Sequence, residues 1–171
     1  MGVTAILHRP DGSVAQTARL ADEASGLDTW VGHLRPDAVG DWSFTVEAWG
    51  SPWDTWVHRA EIKIPAGIDV ELELLEGSLL LERAATDPAA DDDDRTLLLT
   101  AARTLVAATL PVPVRLAAGT DPAVADLLHR RPIREGVTTS GPWPWRVQRR
   151  RALVGAWYEF FPRSEGASVD P

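Results

Sequence analysis

The hydrophobic period changes partway along this chain, and that change limits the folds open to it. Over residues 42–49 (WSFTVEAW) apolar and polar side chains alternate: Trp42, Phe44, Val46 and Ala48 share one side, Ser43, Thr45 and Glu47 the other. A period of two over this length reads as a half-buried antiparallel strand. Over residues 68–83 (IDVELELLEGSLLLER) the period is helical, with apolar Ile68, Leu72, Leu75 and Leu79. Asp69, Glu71 and Glu73 stand at its start and Arg83 at its end, as a helix dipole favours. Gly77 is an unfavourable helix residue and points to something packed closely against it. Separate blocks of the two periods indicate an α+β chain.

The flanking segments extend both blocks. Residues 3–8 (VTAILH) and 14–20 (VAQTARL) bracket the turn signal Pro10-Asp11-Gly12, and residues 29–34 (TWVGHL) place Trp30, Gly32 and Leu34 on one face. After Gly50-Ser51-Pro52, residues 55–64 (TWVHRAEIKI) read as the returning strand of a hairpin, ended by Pro65-Ala66-Gly67. Short strands at this spacing suggest a β-sandwich. Residues 87–94 (DPAADDDD) read as a solvated acidic loop, and 95–110 as a second helix. Asp121-Pro122 opens a third helix by N-cap and first-turn chemistry. Residues 132–145 read as a Pro/Gly-punctuated connection and 146–161 as a return to strand.

Composition narrows the function. The 171 residues are enough to bury a real core, and a formal net charge of -8 argues against a nucleic-acid binder or a polybasic membrane patch. With no cysteine, disulfides, cysteine-ligated zinc and thiol catalysis are excluded. No signal peptide or bilayer-length apolar run is visible, so a cytoplasmic protein is expected. Abundant Ala, Asp and Arg suggest a GC-rich bacterial source.

Residue types that carry chemistry are present but not in chemical patterns. His8, His33, His58 and His129 form no metal-ligand spacing, and Asp91 to Asp94 lack the turn glycine and distal glutamate of a calcium loop. No phosphate-binding glycine loop or nucleophile elbow occurs, and no carboxylate pair is singled out. No catalytic residue, cofactor site or metal site is therefore expected. The eight tryptophans allow two readings. Trp53 and Trp56 could form a sugar-stacking platform, or the rings could fill a core, and aromatic dominance of cores favours the second.

Two blocks carry a more specific signal. The first, within residues 41–84, contains Trp42-x-Phe44-x-Val46-Glu47-Ala48-Trp49, Thr55-Trp56-x-His58, Ile62-Lys63-Ile64-x-Ala66-Gly67-x-Asp69-Val70-Glu71-Leu72, Glu76-Gly77 and Leu80-Leu81-Glu82-Arg83. The second is Ala156-Trp157-Tyr158-Glu159-x-Phe161-Pro162-Arg163-Ser164. Together they resemble the N-terminal region of bacterial α-1,4-glucan:maltose-1-phosphate maltosyltransferases. The resemblance implies an immunoglobulin-like antiparallel β-sandwich with an inserted small helical bundle. The implied division is sandwich over 1–84 and 146–163, helical insertion and connection over 85–145, and a tail over 164–171. It also implies a homodimer and a separate catalytic (β/α)8 barrel, through which maltose 1-phosphate and α-1,4-glucan would be engaged. The family's catalytic carboxylates lie in that barrel, and none maps onto this chain. The family's region begins with further strands and continues into the barrel, so a fragment or truncated product, inactive alone, is expected.

These readings give two sets of candidate residues. Leu79, Trp157, Tyr158, Phe160 and Arg163 are expected at an interface with a second copy or with the barrel. Trp53 and Trp56 are the candidates if the chain is instead a glucan-binding module.

Overall fold

The computed structural model describes residues 1–23, 27–155 and 159. The chain begins with β1 (Gly2–His8), β2 (Val14–Arg19), β3 (Ala21–Asp22), β4 (Trp30–Val31) and β5 (Gly40–Gly50). Five helices follow: α1 (Pro52–Lys63), α2 (Val70–Ala85), α3 (Asp92–Leu105), α4 (Val112–Gly119) and α5 (Pro122–Arg130). The strand β6 (Glu135–Val147) and a 3-10 turn, Arg150–Leu153, complete the described elements. The fold class is α+β, as the two hydrophobic periods require.

The main sheet is antiparallel with order β2-β1-β5-β6, and β3 pairs with β4 in a separate two-stranded ribbon. The β1–β2 turn is built by its own residues. Ser13 N donates to Asp11 Oδ1 at 2.9 Å, and Gly12 supplies a φ of +85°. In the β1–β5 register, Val3, Ala5 and Leu7 lie opposite Ala48, Val46 and Phe44, so these six share one face. Val3, Ala5, Leu7 and Trp42 are buried, while Phe44, Val46 and Ala48 are half-buried towards β6. On the other face Trp49 is buried and donates through Nε1 to Thr4 Oγ1 at 3.3 Å.

Strands β5 and β6 are neighbours in the sheet, yet all five helices lie between them in sequence. The helices are thus an insertion into the sheet, and they carry their own core. Trp53, Trp56 and Ala60 of α1 meet Leu74 and Leu81 of α2, Leu98, Ala102 and Leu105 of α3, and Val124 and Leu127 of α5. No residue of the six strands belongs to that cluster.

Several expected boundaries are corrected. Residues 55–64 are helix α1, not a hairpin strand. Trp53, Trp56, Ala60 and Ile64 are all buried at helical spacing, and Ser51 caps the helix by accepting from Asp54 N at 3.3 Å, with Pro52 opening its first turn. The helical segment consequently occupies 52–130 rather than 85–145. The acidic run is not a loop throughout: Asp91 caps α3, its Oδ1 accepting from Asp94 N at 2.8 Å, and Asp92, Asp93 and Asp94 form the first turn. They favour the positive end of the helix dipole. Helix α4 was not expected; Pro111 is its N-cap and Pro113 lies in its first turn, where no N–H is needed.

The last described strand is β6 over Glu135–Val147, where a connection was expected. Pro142 and Pro144 are tolerated because β6 lies at the sheet edge. Beyond Val147, residues 150–153 form a 3-10 turn instead of strand. The rest of the strand expected over 146–161 lies largely outside the described residues. The third expected helix holds: Asp121 Oδ1 accepts from Ala123 N at 2.8 Å and Pro122 opens α5.

Candidate functional site

Helix α2 has two apolar faces. One is turned inward through Leu74, Gly77, Ser78 and Leu81, all buried. The other carries Leu72, Leu75 and Leu79, continued by Ile68 in the preceding turn, and these are 61%, 47%, 55% and 51% exposed. The 3-4 spacing of Leu72, Leu75 and Leu79 keeps them in one row along the helix, the spacing of a helix–helix seam, with Ile68 just ahead of its N-terminus. The inner face already meets α1 and α3, so the outer row is not needed for the chain's own core. A row of large exposed aliphatics on one helix marks an interaction surface.

Ion pairs hold α2 in place behind this row. Glu73 is buried, and its carboxylate accepts from Arg59 Nε at 2.9 and 2.8 Å and meets Lys63 Nζ at 2.9 Å. Arg59 also pairs with Glu76, and Lys63 with Asp69 at 3.3 Å. Burial pushes the Glu73 carboxyl up, but hydrogen bonds from Lys63 and Arg59 outweigh it and hold it below the usual carboxylate range. Hydrogen bonds to Glu76 and Glu73 push Arg59 upward, and those to Glu73 and Asp69 do the same for Lys63. Trp56 Nε1 donates to the Glu73 carbonyl at 2.7 Å.

A second tie comes from α4. Arg115 is 3% exposed; its Nε donates to the Leu105 carbonyl at 2.7 Å and its two terminal nitrogens reach Glu71 at 2.8 and 2.7 Å. One planar guanidinium thus closes the end of α3 and clamps α2. These groups are paired carboxylates and permanently charged cations. That chemistry suits rigidity and not proton transfer, which needs a group poised near neutral pH.

Of the interface candidates, Leu79 lies in the exposed row. Trp157, Tyr158, Phe160 and Arg163 lie outside the described residues. Of the two readings of Trp53 and Trp56, the alternative one, an exposed glucan platform, does not fit their burial. They are 4% and 0% exposed, their rings lie 4.7 Å apart, and both belong to the helical core. A stacking platform needs an open indole face. The open indoles are on β6: Trp143 is 51% and Trp145 37% exposed, opposite Phe44 and Trp42 of β5. Sequence reasoning passed over them because the surrounding glycines and prolines suggested a connection. Among the described residues no group of three or more His, Cys, Asp or Glu side chains is placed to hold a metal ion. Among them, too, no helix is long and apolar enough to cross a membrane.

Comparison with known proteins places this arrangement in a family. Residues 1–149 match the family model described as α-1,4-glucan:maltose-1-phosphate maltosyltransferase, domain N/S. The chain is 48% identical over 166 residues to maltosyltransferase 2 of Streptomyces coelicolor and 46% identical over 172 residues to maltosyltransferase 1 of the same organism. Those alignments cover 97% and 100% of this chain but 25% of each relative. The Mycobacterium tuberculosis enzyme is 41% identical over 151 residues, covering 85% of this chain and 21% of the relative. The chain therefore spans about a quarter of the length of the curated relatives it matches, and over nearly all of its own length it belongs to the α-1,4-glucan:maltose-1-phosphate maltosyltransferase domain N/S family.

Proposed function

We propose that this chain is a non-catalytic dimerisation and support region of a cytoplasmic maltosyltransferase. In that protein, maltose would pass from maltose 1-phosphate to an α-1,4-glucan on a separate (β/α)8 barrel domain. The observation that carries the reading is the exposed row Ile68, Leu72, Leu75 and Leu79 on α2. Its spacing suits pairing with a second copy of the same helix, and a two-fold contact uses one patch on both subunits. The ion pairs of Arg59, Lys63 and Arg115 keep that row pre-ordered, which lowers the entropic cost of association.

The test is sedimentation velocity on the wild-type chain and on Leu79→Glu. Leu79 is more than half exposed, so the substitution leaves the fold intact. Placing a carboxylate within an apolar contact should weaken the dimer by about tenfold or more. A wild-type chain that stays monomeric, or a Leu79→Glu variant with unchanged mass, overturns the reading.

The exposed Trp143 and Trp145 support a second reading, an α-glucan-binding module. It requires a saturable change in tryptophan fluorescence with maltooligosaccharides that is lost in Trp143→Ala. A folded chain whose fluorescence does not respond removes it.

A further inference from the structure

We propose that the cleft between the main sheet and the end of α5 binds a small phosphate-bearing anion. This stands independently of the dimerisation reading. The cleft has a volume of about 330 Å³ and is lined from β1, β2, β5, the last turn of α5 and the segment leading into β6. Its charged residues are Arg19, Arg130 and Arg134, and no carboxylate lines it. In a chain of net charge -8, three guanidiniums around one cavity are a local reversal of sign.

Two of the guanidiniums are also held in place. Trp49, 2% exposed, forms part of the wall, and the Arg19 and Arg134 guanidiniums lie 5.1 and 5.4 Å from its ring. These are cation–π distances. Arg19 further donates to the His129 carbonyl at 2.9 Å and lies 3.6 Å from Asp54, while Arg134 pairs with Glu47. A guanidinium carries five N–H donors, more than these contacts use. Arg130 makes no ion pair among the described residues and is exposed at the cleft. Asp54 and Glu47 offset Arg19 and Arg134, which leaves the charge of Arg130 for a ligand.

The planar arginine fork suits phosphate, whose tetrahedral oxygens accept paired N–H···O bonds. The Thr4 and Thr17 hydroxyls on the same wall add neutral polar groups of the kind that orient a bound ligand. The volume lies near the lower end for small-molecule sites, so the ligand is free phosphate or a small phosphomonoester. Both present the same phosphoryl oxygens and a negative charge at neutral pH.

Isothermal titration at constant ionic strength tests the proposal on the whole chain, using inorganic phosphate and glucose 1-phosphate as separate probes. Saturable binding is expected for at least one, weakened about tenfold in Arg130→Ala. Arg103→Ala, an exposed change on α3 away from the cleft, should bind as the wild type does. Arg134→Lys keeps the charge but removes the fork, and should also weaken binding. Tighter glucose 1-phosphate would identify a phosphomonoester as the ligand, and equal affinity would identify the phosphate group alone. No saturable heat with either probe overturns the proposal. So does equal weakening by Arg103→Ala and Arg130→Ala, which would mean a diffuse charge effect.

Discussion

At Gly77 the α2 backbone passes so close to the Trp56 indole that a Cβ there would lie 2.2 Å from Cζ2. Alanine would gain about 1 kcal/mol of helix propensity over glycine. Here Trp56 is fully buried and its ring nitrogen is bound to the Glu73 carbonyl, so it has little room to move. Gly77→Ala should therefore lose a net 1–2 kcal/mol or so, read as a lower urea midpoint at unchanged slope. The same helix supplies a pH-dependent term. Glu73 has a carboxyl held below its ordinary value of about 4.3, so its contribution is present above that value and lost as pH falls through the lower folded value. In that window the unfolded state binds the extra proton. Between about pH 5 and pH 3 the wild type should thus lose stability more steeply than Glu73→Gln, which should be less stable at neutral pH by about 1–3 kcal/mol. Denaturant melts at several pH values check both. Gly77 announced a close packing contact by its residue type alone. Glu73 announced only a first-turn acid, because its partners Arg59 and Lys63 lie on another helix.

Elements were legible where one local signal dominated. The alternation over residues 42–49 is strand β5, and Asp121-Pro122 opens α5. Helix α1 was misread because its tryptophans and β-branched residues favour strands, although Ser51-Pro52 is a helix start. Ser51 is 4% exposed and its hydroxyl serves the first turn, so Ser51→Ala should cost about 1 kcal/mol. A drop in thermal midpoint without loss of helix content would confirm the cap. Strand β6 was hidden by its own prolines and glycines. Its place depends on pairing with β5 across the whole helical insertion, which no local window contains.

On the scale of the molecule, two cores divide the work. The sheet buries Val3, Ala5, Leu7 and Trp42 on one face, and the helical insertion buries its own cluster. Closing the sheet over so long an insertion costs little more entropy than closing it over a short one, since the cost grows only with the logarithm of length. The insertion can thus carry a surface of its own without undoing the sheet. The α2 row was legible as a helical period, but a period cannot say which face is buried. The chain buries the face of Leu74 and Leu81 and leaves Leu72, Leu75 and Leu79 outside. The central claim is that this outer row is where two copies meet. A dilution series of methyl NMR spectra tests it directly. Concentration-dependent shifts should appear at the Ile68, Leu72, Leu75 and Leu79 methyls and fade on dilution. Shifts confined to other methyls, such as those of Val137 on β6, or no shifts at any concentration, would contradict it.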